Sequence, residues 1–348
     1  MIRRELLLNF IRKCGRAASS EIHDHIVKSG EKTSLITVKR VLSQLDHEGV
    51  LSVSGKGRAT TYALSEYGKL TSDVDAALYC SIPPDERYGS SGYNFNLFDA
   101  LNFNPFSESE QDRLKQATNF YQSRAAGASE PIRKRELERF IIELSWKSSR
   151  IEGNTYTLLD TEALILRDVE ATGHSQAEAT MILNHKKAFT FIYEHQEKFK
   201  TLTRSNVEDV HKLLVQDLGV RHNLRSQAVG VIGSLYRPLD NEYQIREALE
   251  KLSAAISRFR NGYAKAFFAL LGLSYLQPFE DGNKRTARLM TNAVLLAHDL
   301  APLSYRSVEE KSYREAIIVF YELNALSPIK KIFVEQYDFA ARNYLLSF

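Results

Sequence analysis

The sequence predicts a mainly α protein with a small basic module at its N-terminus, and three observations support this. Across residues 103–348, apolar side chains recur at helical spacing in one segment after another. Strand-like alternation is confined to the short stretches 51–54, 60–64 and 227–238. Charge is uneven: residues 1–64 hold eleven Lys/Arg against six Asp/Glu, a net of +5, whereas the whole chain is +3, leaving about −2 for the remainder. At 348 residues and 43% hydrophobic, the chain can bury one substantial core beside a smaller module.

The N-terminal module reads as three helices, 3–13, 20–29 and 34–47, followed by a hairpin. Ser20 and Ser34 are N-cap candidates, because a short side-chain oxygen can accept from the first free N–H groups of a helix. Strands 51–54 and 60–64 are joined by the basic turn Gly55-Lys56-Gly57-Arg58. This order over residues 1–66 resembles a winged helix-turn-helix with 34–47 as the recognition helix. The resemblance implies that Thr37, Lys39, Arg40 and Ser43 face a DNA groove while Lys56 and Arg58 meet phosphate. A homodimer would be needed for useful site specificity, and protein docking stays open as the other use of such a module.

Residues 67–102 read as a linker or extended strap. Pro83 and Pro84 are adjacent and a Gly/Ser-rich turn follows, both poor material for a core element. Tyr93, Phe95, Leu97 and Phe98 are expected to pin the strap to the helical domain.

Within 103–348 helices are expected at 109–125, 131–152, 159–172, 177–195, 205–218, 244–261, 264–276, 284–297, 307–323 and 329–346. Ser109 is the N-cap candidate of the first. Pro131 opens the second, whose apolar face carries Leu137, Phe140, Ile141 and Leu144. Between 218 and 244, Val229 and Val231 alternate in a stretch read as a short β-hairpin.

The richest segment is 277–288, Gln277-Pro278-Phe279-Glu280-Asp281-Gly282-Asn283-Lys284-Arg285-Thr286-Ala287-Arg288. Pro278 stops one apolar helix and Gly282 permits a tight turn into the next. Free N–H groups at a helix N-terminus, together with the positive end of its dipole, attract phosphate. Arg285 and Arg288, three apart on one face, add charge-assisted bonds, and Asp281 is a hard oxygen ligand suited to Mg2+ shared with phosphates. No GxxxxGK[ST] loop occurs, so a triphosphate pocket here is of another kind.

This run resembles the Fic motif, HxFx(D/E)(G/A)N(G/K)RxxR, matching at Phe279, Asp281, Gly282, Asn283, Lys284, Arg285 and Arg288. The resemblance implies a Fic-type helical bundle over 103–348 and transfer of AMP from ATP to a protein hydroxyl. It implies Mg2+ on Asp281, α- and β-phosphates on Asn283 and the backbone after Gly282, outer phosphates on Arg285, and γ-phosphate or an inhibitory glutamate on Arg288. Lys284 stands where glycine is commoner, in relatives that include some transferring a different group. Gln277 stands where the family has its general-base histidine; an amide can hydrogen-bond a hydroxyl but cannot take its proton.

Two other segments resemble the same family. Ser148, Glu152 and Gly153 fit its autoinhibitory motif, [S/T]xxxE[G/N], at the end of the helix spanning 131–154. A carboxylate against Arg288 would occupy the γ-phosphate position and repel it. Val229, Gly230, Val231 and Ile232 correspond to the flap that lays a target segment beside the site by strand addition.

The functional expectation is an adenylyltransferase scaffold acting on a Ser, Thr or Tyr hydroxyl of an unidentified target protein, autoinhibited by Glu152 and slowed or silenced by Gln277. The alternative is a catalytically silent ATP-binding regulator of a DNA- or protein-binding winged helix. No apolar run approaches membrane-spanning length and no signal-peptide pattern is present, so a cytoplasmic location without membrane contact is expected. Cys14 and Cys80 are too few for a disulfide framework or a zinc site.

Overall fold

The computed structural model describes residues 3–346 and is mainly α, with one small sheet. The chain forms two compact units: 1–100 with 231–236 and 315–329, and 101–230 with 237–314 and 330–348.

The first unit begins with α1 (Arg4–Cys14), β1 (Ala17–Ala18), α2 (Ser19–Lys28), α3 (Leu35–His47), β2 (Leu51–Ser54) and β3 (Thr61–Leu64). The three strands form an antiparallel sheet in the order β1-β3-β2, with Leu51 opposite Leu64 and Ala17 opposite Tyr62. Leu7, Ile11, Ile22, Ile26, Val38, Leu42 and Leu45 make its core, each from the apolar stripe of its helix. Ser34 caps α3, its Oγ accepting from Thr37 N–H at 3.2 Å. Ser20 lies inside α2, not at its cap: Glu21 reaches back to the Ala18 N–H at 2.7 Å and fills the capping role. Lys39, Arg40 and Ser43 are exposed along α3 with Thr37 half-buried, and Lys56 and Arg58 are exposed on the turn before β3.

Residues 67–100 differ from the expected extended strap. They hold α4 (Glu66–Thr71), α5 (Ala76–Cys80) and α6 (Leu97–Ala100). Short runs such as Ala76-Ala77-Leu78-Tyr79 are too brief to show a period, yet Asp75 caps the second by accepting from Leu78 N–H at 2.9 Å. Tyr79, Leu97 and Phe98 are buried, while Phe95 is exposed.

The second unit contains α7 (Glu108–Ala126), α8 (Glu130–Ile151), α9 (Leu158–Arg167), α10 (Gln176–Glu194), α11 (Arg204–Leu214), α12 (Glu242–Ser257), α13 (Gly262–Leu276) and α14 (Asn283–Leu296). Most starts carry a short polar cap: Ser107, Thr157, Ser175, Thr203, Asn241 and Asn261 each accept an N–H two or three residues on. Ser107, not Ser109, caps α7. The chain continues through α15 (Glu310–Leu323) and α16 (Ser327–Asn343).

The hairpin expected at 227–238 is absent: no strand occurs there, only a turn in which Ser234 N–H meets Val231 C=O at 3.1 Å with Gly233 at φ +77°. Side chains draw off the groups a ladder would need. Arg87 donates to the Gly233 carbonyl at 2.9 Å, and Leu235 N–H goes to Glu322 at 3.0 Å.

Candidate functional site

The site is built on the turn between α13 and α14. Every side chain of α13 from Tyr263 to Leu276 apart from Lys265 is buried, so this helix is fixed by packing all round. It ends at Gln277, whose φ of +49° is unusual for a non-glycine residue and starts the reversal before Pro278. Gly282, at φ +75°, completes the turn; a Cβ there would meet His211 and Val215 at 3.3 Å.

The turn is held from three sides. Asn283 clamps Phe279, accepting from its N–H and donating to its C=O, both at 2.8 Å. Phe279 is fully buried and stacks on the imidazole of His211, with centroids 3.6 Å apart and planes 5° apart. Burial pulls the His211 imidazole down to about 3, so at neutral pH the ring is uncharged; its Nδ1 lies 3.2 Å from Thr286 Oγ1. Arg225, also buried, donates to the Gln277 carbonyl at 2.7 Å, and its backbone N–H meets Pro278 C=O at 3.0 Å.

Helix α14 starts at Gly282 without a side-chain cap, unlike its capped neighbours. Its first N–H groups and dipole are therefore open to an anion. Around them stand three cations. Arg285 is buried and reaches exposed Asp281 at 3.2 Å through one nitrogen, while Nη1 is buried without a hydrogen-bond partner. Arg288 is fully buried, donating through Nε to Ser148 Oγ at 2.9 Å and through Nη2 to Ser148 C=O at 2.8 Å. Lys284 is half-buried.

Glu152 meets two of these cations. Its Oε1 lies 2.8 Å from Arg288 Nη1 and its Oε2 3.7 Å from Lys284 Nζ. The Arg288 N–H is not aimed along the short contact, which is chiefly Coulombic. Burial raises the Glu152 carboxyl, but the charges of Arg288 and then Lys284 outweigh it and hold it below the usual range. Burial likewise opposes the Arg288 charge, and Glu152 overrides it to raise that guanidinium. Glu152 closes α8, and Gly153 follows at φ +100°. The last turn of α8 is anchored: Arg314 donates to Ile151 C=O at 3.0 and 2.6 Å, and Lys147 and Arg150 pair with Glu310 at 2.9 and 3.0 Å.

The predicted residues Ser148, Glu152, Lys284, Arg285 and Arg288 thus converge. Two others depart from what the resemblance implied. Asn283 faces the loop, with both polar ends of its amide on Phe279, so it shapes the turn. The Gln277 amide turns back on α13, its Nε2 donating to Ser274 C=O at 2.7 Å. Val229 and Val231 are half-buried, while Gly230 and Ile232 are exposed. His211, Thr286 and the structural role of Arg225 were not singled out beforehand. His211 and Arg225 meet the motif from segments 75 and 52 residues away, and no local spacing signals such a contact. With Lys284, Arg285 and Arg288 against Glu152 and Asp281, the site carries one excess positive charge and suits a multiply charged anion.

Residues 201–295 match the family model of the Fic/DOC family. Over 189 residues the chain is 28% identical to "Protein adenylyltransferase Fic" of Nematostella vectensis, covering 52% of this chain and 44% of that protein. Over 204 residues it is 22% identical to "Protein adenylyltransferase fic-1" of Caenorhabditis elegans, covering 56% of this chain and 39% of that one. The chain thus spans less than half the length of these curated relatives. Among solved structures, Fic-1 (residues 134–508) of C. elegans superposes with a TM-score of 0.59 at 18% identity, over 68% of this chain and 72% of that one. A Fic-domain signalling protein of Bacteroides thetaiotaomicron superposes with a TM-score of 0.56 at 20% identity, over 66% of this chain and 94% of that one. These likenesses agree on the helical fold that carries the turn, and the match to the Fic/DOC family model spans the segment that contains it.

Proposed function

We propose that this chain is an autoinhibited protein adenylyltransferase scaffold that binds Mg2+-ATP at the N-terminus of α14. The observation that carries the reading is the Glu152 carboxylate seated on buried Arg288 beside an uncapped, cation-lined helix start. The open N–H groups of α14 and the buried, unpartnered Nη1 of Arg285 fit a polyphosphate. Asp281, exposed and single, fits a Mg2+ whose remaining ligands are phosphate and water. Bound there, the ion would neutralise charge on the phosphates.

In the reaction, a target hydroxyl oxygen bonds to the α-phosphorus, the α–β anhydride bond breaks, and pyrophosphate leaves. Arg285 and Arg288 hold the outer phosphates and orient the chain for in-line attack. Glu152 opposes this by occupying Arg288 and placing negative charge where the γ-phosphate belongs. The hydroxyl proton needs an acceptor, and Gln277, whose amide has no usable pKa, leaves it to solvent. The relatives' name, protein adenylyltransferase, supports the class of reaction.

The test uses ATP labelled at the α-phosphate with Glu152→Gly alone and with Glu152→Gly combined with Gln277→His. ATP binding should strengthen in both, and label transfer should rise about 10²–10⁴-fold on adding the histidine. Transfer seen only with histidine makes the chain as it stands a silent nucleotide-binding regulator. Absence of ATP binding in both variants removes the nucleotide reading.

For residues 1–66 we propose a winged helix that docks on DNA. The order helix, short strand, two helices and hairpin, the β1-β3-β2 sheet, and exposed Lys39, Arg40, Lys56 and Arg58 support it.

A further inference from the structure

A cavity of about 380 Å³ lies in the first unit, with Arg12 from α1, Tyr88 and Tyr93 from the loop after α5, Leu64 at the end of β3, and Leu323 at the end of α15 in its wall. That volume suits a small organic molecule. Arg12 is the unusual member. Only 8% of it is exposed, and it makes no ion pair among the described residues. Its partners are three carbonyls, Leu323 at 3.3 Å and Lys69 and Ser72 at 3.4 Å, all long for N–H···O bonds. Its Nε is buried with no partner. Burial pulls the guanidinium down to about 10, the direction expected of a cation lacking a full counter-charge.

The other charges in the wall are already spent. Lys69 pairs with Glu66 at 2.7 Å. Glu322 is fully enclosed and accepts from Tyr79 at 2.6 Å, Arg87 at 3.2 Å, Ser234 at 2.6 Å and Leu235 N–H at 3.0 Å. Arg12 is thus the cavity's one charge without an ionic partner among the described residues, next to two aromatic rings and aliphatic side chains.

We propose that this cavity is a binding site for a small organic anion, its carboxylate or phosphate head on Arg12 and its apolar body between Tyr88, Tyr93 and Leu64. A charged oxygen would give Arg12 the short, charge-assisted bond that the long carbonyl contacts do not provide. The site is separate from the α14 turn, and its occupant contacts both α1 of the N-terminal module and the 88–94 loop.

The test is ligand-observed NMR titration of the full chain with benzoate and with phenyl phosphate, using benzamide as the neutral isostere. Both anions should saturate and benzamide should not; the tighter anion identifies the preferred head group. Arg12→Gln should weaken binding at least about tenfold, the loss of a charge-assisted pair. Gly92→Leu provides a second variant that leaves Arg12 intact. Gly92 lines the cavity, its φ is ordinary, and a Cβ there meets nothing within 4 Å, so a leucine is accepted without strain and adds bulk at the cavity wall. It should also abolish binding, with an unchanged melting temperature. No saturation by either anion, equal binding of benzamide, or binding that survives Gly92→Leu, as occupancy of the α14 turn would, overturns the proposal.

Discussion

The Glu152–Arg288 pair stabilises the fold and, in the function proposed, opposes nucleotide access. Removing the carboxylate leaves a fully buried guanidinium held only by Ser148 and over the face of Tyr313, 5.7 Å from the ring centroid. Loss of one partner from such a pair costs about 3 kcal/mol. Glu152→Gly should therefore melt earlier than the parent without nucleotide, yet gain a larger upward shift on adding Mg2+-ATP, as read by calorimetry. Acid should act in the same direction. The Glu152 carboxyl is held below its unfolded value of 4.5, so its contribution is complete above that pH and drains as pH falls through the lower folded value. Glu152→Gln should flatten this part of the acid unfolding curve.

Elements were most legible where apolar period and cap agreed. The stretch expected at 131–152 is α8, and that at 34–47 is α3 with the Ser34 cap in place. Ends are less legible: α9 stops at Arg167, with Asp168 at φ +54°, whereas apolar spacing predicts helix over 159–172. The α13–α14 turn shows an element whose shape rests on one amide. Asn283→Ala would leave the buried Phe279 N–H and C=O unpaired, a loss of about 2 kcal/mol. In urea unfolding this variant should show that loss and weaker ATP binding, although the asparagine side chain faces the loop. Unchanged stability would show the clamp to be unimportant. The 227–238 stretch was misread because alternation alone cannot reveal that side chains such as Arg87 and Glu322 occupy the backbone groups of a ladder.

For the whole molecule, the uneven charge is the feature with a testable consequence. A net of +5 in residues 1–64 against +3 overall concentrates positive charge in the N-terminal module, where duplex DNA is proposed to dock. In filter binding to duplex DNA at two salt concentrations, the full chain should lose affinity as salt rises. Replacing Lys56 and Arg58 together by alanine should lower the log–log slope by about 2, one for each lost phosphate contact. Salt-insensitive or absent binding would favour protein docking by this module. Among the described residues no helix is long and apolar enough to cross a membrane.

By itself the sequence determined the mainly helical class, the basic module and the cation-bearing turn at 277–288. These depend on properties carried by near neighbours: period, caps, a glycine and cations three apart. Only the tertiary structure decided which distant side chains complete the turn. Ser148 reaches Arg288 across 140 positions, and Arg225 reaches the Gln277 carbonyl across 52. It also showed that Asn283 is committed to the loop, that 67–100 carries helices, and that Arg12 is buried beside a cavity without an ionic partner among the described residues. Such contacts arise when packing brings remote segments together and burial makes each polar group find a partner, a condition that local pattern does not encode.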